Sequence, residues 1–224
     1  MLWYKAWLET RFRLLFSLVI ASFVLVSLYS KKATDVSAVV GIATGLAGLL
    51  TIMLAGAGIT TQPAFQATKG LHGSILFTLS MPVSRFRLLA VRAGFGWLEM
   101  AAGISAVCCG MWILFPPGTV TARDMLDYAG TLIACASALY AISVLLATFL
   151  DDQWRVWGSG IVFAALWWLL NKTPLPSSMN IFRAMGEGSS LVAHTMPWTA
   201  MAFALGLATV LFFAAFRVVQ YREY

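Results

Sequence analysis

Six stretches of the chain are apolar for long enough to form membrane-crossing helices, and the polar residues gather between them. They run from about Leu14 to Tyr29, Val36 to Ile59, Leu88 to Phe115, Met125 to Leu150, Val156 to Leu170 and Trp198 to Val219. About 20 apolar residues cross the hydrocarbon core of a bilayer. The fifth stretch is therefore short for a crossing, and the third is long enough to tilt or to extend past the membrane. The pattern predicts an all-α membrane protein with six transmembrane helices in one domain, residues 1–224.

The polar connections are unequal. "DDQWR" joins spans four and five, and Pro116, Pro117 and Gly118 mark a turn between spans three and four. Two connections are long, residues 60–87 and 171–198, and long connections in compact proteins tend to carry function. In the second, Thr173-Pro174 and Pro176 end span five. Ile181, Phe182 and Met185 then offer one short apolar face, with Gly186 and Gly188 as helix terminators. Such a helix cannot bury its face alone. It is expected to fold back on the membrane or on the protein, as an external lid.

At the start, "MLWYKAWLETRFRLLF" places Trp3, Trp7 and Leu14 on one helical face and Lys5, Glu9 and Arg13 on another. This pattern favours an interfacial helix over 1–13 that turns into span one, over a plain aromatic and basic flank. In residues 62–80, Leu71, Ile75 and Leu79 recur every four positions, while Gln66, Lys69 and Gly73 fall on another stripe. Gly70 and Gly73 each cost about 1 kcal/mol relative to Ala, so a helix broken there and a continuous one both fit. Pro82 ends the segment, and Ser84 can cap the third span.

Composition narrows the class. Of 224 residues, 60% are hydrophobic and 11% charged, against about 25% charged in soluble domains. The net charge of +6 does not point to nucleic acid, because the basic residues punctuate apolar segments. With the N-terminus inside, the cytoplasmic set holds ten Lys/Arg (Lys5, Arg11, Arg13, Lys69, Arg85, Arg87, Arg92, Arg155, Arg217, Arg222). The outer set holds five: Lys31, Lys32, Arg123, Lys172 and Arg183. The excess predicts cytoplasmic termini. No small-residue cleavage site follows the first apolar run, so that run is expected to remain as a span. Cys108, Cys109 and Cys135 all fall in apolar runs, without metal or redox spacing.

Candidate chemistry is sparse. There is no G-x-x-x-x-G-K-[ST] loop to cradle ATP phosphates. Ser159 and His194 could make a hydrolase pair only if they met, and the predicted topology puts them on opposite sides. Asp151 and Asp152 are adjacent, with no third ligand, and read as a solvated turn. Gly158 and Gly160 read as close-packing positions. Glu99 is the one carboxylate well inside a span, with Arg92 two turns earlier on the same face. The pair is either a structural contact, directly or with another helix, or part of a translocation path or dimer seam.

One segment carries a resemblance. "LFTLSMPVSRFRLLAVRA", residues 76–93, resembles the "LLxLPVSRxRLLxxR" segment of ABC-2-type transporter permeases, the membrane subunits of a class of ATP-driven exporters. "MLWYKAWLETRFRLL" resembles the start of such subunits, and the layout of spans and loops is similar along nearly the whole chain. The family often has Glu where this chain has Lys69 and Leu76. The resemblance implies a coupling helix between spans two and three that seats in a separate ATPase subunit. Gln66, Lys69, Leu71, His72, Ile75, Pro82 and Arg85 are then the coupling residues, although His72 read alone is a solvated loop residue. It further implies two ATPase copies holding ATP and Mg, a second permease copy, no cofactor in this chain, no nucleic acid and a bacterial-type plasma membrane. The competing readings are a non-transporting assembly or sensor subunit that binds a partner through residues 62–87, and an intramembrane hydrolase.

Overall fold

The computed structural model describes residues 2–30, 35–55, 85–115, 119–150, 152–173, 176 and 179–221. Among them there are eight helices and no strand. They are α1 (Leu2–Ser30), α2 (Val36–Leu54), α3 (Arg85–Leu114), α4 (Ala122–Ala147), α5 (Asp152–Lys172), α6 (Ile181–Met185), α7 (Ser190–Ala193) and α8 (Trp198–Tyr221). Five are long and apolar enough to cross a membrane: α1 over Thr10–Ser27, α2, α3 over Phe86–Ile113, α4 and α8. The chain is thus all-helical over the described residues, with the character of a multi-pass membrane protein.

α5 falls outside that set by composition, not by length. Its 21 residues extend about 31 Å at 1.5 Å per residue, but Trp154, Trp157, Trp167 and Trp168, with charged residues near its ends, lower its apolar character. It runs the length of α2 nonetheless. Arg155 near its start meets Ile52 and Ala55 at the end of α2, and Trp167 and Asn171 near its end share a cleft with Gly41 and Thr44.

Contacts between elements fix the directions. Trp3 and Trp7 pack edge-on against Phe95, and Leu25 lies beside Gly110, so α1 and α3 are parallel. Leu54 approaches Gly96 and Leu50 packs on Gly103, so α2 opposes α3. Trp97 Nε1 donates to Ser137 at 2.9 Å and the Tyr140 hydroxyl to the Ala93 carbonyl at 2.8 Å, which sets α4 against α3. Phe86 packs on Phe216, so the end of α8 lies beside the start of α3. α1, α3 and α5 therefore run one way, and α2, α4 and α8 the other.

α4 occupies the centre. Of its 26 residues, 16 are buried, and it touches α2, α3, α5, α6, α7 and α8. Small side chains make this possible: Ala134, Ala136, Ser137, Ala138, Ala141 and Ser143 are all buried. α8 answers with Ala200, Ala204 and Ala208 at four-residue spacing, the small-residue pattern that lets helices approach closely in lipid. α1 uses the same device at the edge, burying Ala6, Thr10, Ser17 and Ala21. Its opposite face presents Phe12, Phe16, Val19, Phe23 and Val26 outward.

The predicted interfacial helix over 1–13 is not a separate element. Residues 2–30 form one unbroken 29-residue helix, about 43 Å long. No proline or glycine interrupts the stretch, and Thr10 is buried inward. The amphipathic start and the candidate span Thr10–Ser27 are parts of one helix, with Trp3 and Trp7 edge-on to Phe95.

Candidate functional site

Gln66, Lys69, Leu71, His72, Ile75 and Pro82 lie outside the described residues. Arg85 opens α3. Arg92 and Glu99 are both buried on α3. Glu99 is only 5% exposed and finds a partner on another helix: the Thr10 hydroxyl of α1 donates to its Oε1 at 2.7 Å. Its Oε2 has no hydrogen-bond partner among the described residues. A carboxylate in such a setting needs its bonds, because apolar surroundings return little of the hydration that burial removes. The Glu99–Thr10 bond therefore ties α1 to α3.

Arg155 departs from its predicted place. Read as a residue of the loop before span five, it is instead inside α5 and 0% exposed. Its Nη1 donates to the Ile52 carbonyl at 2.8 Å and to the Ala55 carbonyl. The last carbonyls of a helix have no partner within it and carry the negative end of its dipole. A buried guanidinium beneath α2 satisfies both needs. The signal in the sequence was an arginine one turn inside a helix that begins at Asp152.

Ser159 is fully buried in α5, and its hydroxyl has no partner among the described residues, so the Ser159–His194 pair is not formed. Gly158 lies against Leu150, as a close-packing glycine should, but a Cβ at Gly160 would meet nothing within 4 Å.

At the other end of the bundle, α6 and α7 cap the helices. Asn180 builds the joint. Its Oδ1 accepts from the Phe182 and Arg183 amides at 3.1 Å each, capping α6. Its Nδ2 donates to Leu170 O and Asn171 Oδ1 at 3.2 Å each, tying α6 to the end of α5. Ile181 and Met185 are buried, and Gly186 ends the helix, as the spacing predicts. The Met185 carbonyl is received below by the Thr44 hydroxyl at 3.0 Å and the Tyr128 hydroxyl at 3.4 Å. α7 ends at His194, whose φ of 53° puts it in the left-handed region.

Between this cap, α2 and α5 lies a cleft of about 610 Å³. Thr44, Trp167, Asn171, Phe182, Arg183 and Glu187 face it, and Gly41 forms part of its floor. A side lobe of about 260 Å³ reaches Ser37, Ala38 and Val192, and shares Gly41, Gly186 and Glu187 with the main space. The size is that of a small-molecule site, and the lining mixes aromatic faces with a few polar groups. The sequence showed the loop and its short helix, but not that Gly41 and Trp167 line one cleft beneath it.

The chain matches no family model, no curated protein and no solved structure.

Proposed function

We propose that this chain is the membrane permease subunit of an ATP-driven exporter of the ABC-2 type. In this reading its six long helices all cross a bacterial-type plasma membrane, with both termini cytoplasmic. Two copies work with two copies of a separate ATPase subunit, which bind ATP and Mg. Residues 60–87 carry the coupling segment, with Leu71 and Ile75 on the ATPase-facing stripe. The observation that carries the reading is the alternation of the six long helices. It puts the chain start, the end of α8 and both flanks of the 56–84 connection at one end of the bundle. A partner that pushes on that connection then acts directly on α3, the helix that holds Arg92 and Glu99. The α6–α7 cap and its cleft, at the opposite end, serve as the cargo-facing lid.

The test is to look for an ABC ATPase encoded beside this chain and to reconstitute the two together. Leu71→Asp with Ile75→Asp should abolish co-purification and stimulated ATP hydrolysis while the permease still inserts. Unchanged co-purification and hydrolysis would place the contact elsewhere. Cysteines introduced at positions 35, 120 and 187, the last an exposed position of the cap, should label from outside the cell. Labelling of position 187 only from the cytoplasm would overturn the six-span layout.

A further inference from the structure

The cleft under the α6–α7 cap holds two opposite charges that do not neutralise each other. Arg183 and Glu187 stand four residues apart, are both exposed and both line the same space. At that spacing on a continuous helix a cation and an anion are neighbours and commonly pair. Here the helix stops between them. Gly186 takes a non-helical conformation (φ −100°, ψ −115°), and the Gly188 amide turns back to the Arg183 carbonyl at 2.8 Å. Neither side chain has an ion-pair partner among the described residues.

The space around them is shaped for more than water. Trp167 and Phe182 offer aromatic faces, the surfaces that attract an ammonium group. A guanidinium is suited to a phosphate, which it can hold through two parallel hydrogen bonds. On the floor, a Cβ at Gly41 would meet nothing within 4 Å, and the same holds for Gly45 and Gly48 further along α2. Beyond the cleft, α2 thus presents a stripe of three glycines with open space above them. A head with two opposite charges fits between Arg183 and Glu187, and an apolar tail can lie along that stripe.

We propose that this cleft binds a zwitterionic amphiphile, its phosphate at Arg183 and its ammonium at Glu187 beside Trp167 and Phe182. A purely anionic head meets Glu187, and a purely cationic head meets Arg183, so both are disfavoured. This deepens the export reading by naming the class of molecule that the same cleft takes. It is tested by binding with no ATPase present, so a wrong ligand class and a wrong export reading give different results.

The experiment is native mass spectrometry of the detergent-purified protein. The protein is titrated with phosphatidylethanolamine, with phosphatidylglycerol and with soluble glycerophosphoethanolamine. Phosphatidylethanolamine should bind at least about tenfold more tightly than phosphatidylglycerol, the effect of one unfavourable charge contact worth about 1.4 kcal/mol. Glu187→Gln should remove most of that preference and raise phosphatidylglycerol binding, and Arg183→Gln should weaken the binding of both lipids. Gly41→Leu projects into open space, so it should block the lipid without lowering the melting temperature. Soluble glycerophosphoethanolamine binding as tightly as the lipid would support the charge arrangement and identify a free zwitterion as its source. Equal binding of the two lipids, or unchanged phosphatidylethanolamine binding by both charge variants, would overturn the proposal.

Discussion

The Thr10 hydroxyl donates to Glu99 Oε1 at 2.7 Å, joining α1 to α3 across their packed faces. Thr10→Val keeps the shape and removes the donor. It leaves a buried carboxyl with neither oxygen bonded among the described residues, which costs about 1–3 kcal/mol. The melting temperature in detergent should fall, and Thr10→Ser should restore most of it. In a double-mutant cycle, Glu99→Leu should make the Thr10→Val change nearly neutral. Additive losses would show that the bond is not what holds α1.

Arg155 beneath α2 predicts a larger effect. Arg155→Met keeps most of the volume but deprives the Ile52 and Ala55 carbonyls of their donor. Bonds to a charged donor contribute about 1.5–3 kcal/mol each, so the variant should unfold well below the wild type. Arg155→Lys should recover part of the difference, since one ammonium can still reach a carbonyl. Equal melting temperatures for Arg155→Met and wild type would mean that the end of α2 is held by other contacts.

Gly96 tests the packing between α2, α3 and α4. A Cβ there would lie 2.5 Å from the Tyr140 hydroxyl and 3.0 Å from the Leu54 carbonyl. Gly96→Ala should destabilise by about 1–3 kcal/mol, the range for overpacked cores. With Tyr140→Phe the clash with the hydroxyl disappears, so the double variant should be more stable than the sum of its parts. Gly45→Ala enters open space, and should be neutral or gain up to about 1 kcal/mol from helix propensity.

The cap has its own weak point. Asn180→Ala removes the amide that caps α6 and ties it to α5. A lost cap costs about 0.5–2 kcal/mol, and here the loss is local. Hydrogen exchange should rise over residues 181–193 and stay unchanged in α4. Asn180→Asp keeps the acceptor and loses the donor, so it should fall between the two.

Much of this architecture is legible in the apolar pattern, since burial in lipid demands long uniform stretches. The short helix Ile181–Met185, with Gly186 after it, was also legible, because a helix terminator and an apolar spacing coincide there. The start of the chain was not. Trp3 and Trp7 look like interface anchors, but they pack on Phe95, and nothing in the local pattern reveals a partner more than eighty residues away. Arg155 was misplaced for a similar reason. A lone arginine beside an apolar stretch reads as a loop charge unless the open carbonyls of α2 are known to lie beside it. Glu99 was recognised as unusual, yet its partner Thr10 is an ordinary threonine that only the packing of α1 on α3 singles out.

The crowding around α4 has a mechanical consequence. A column that touches six other elements cannot move without breaking contacts on every side, so in the export cycle proposed above it would act as a stator. Displacement belongs to the long helices held on fewest sides: α1, which packs on α2 and α3, and α5, which packs on α2 and α4. Spin labels on α4 and α8 should therefore keep one fixed separation throughout that cycle. Pairs joining α4 to α1, or α4 to α5, should show two.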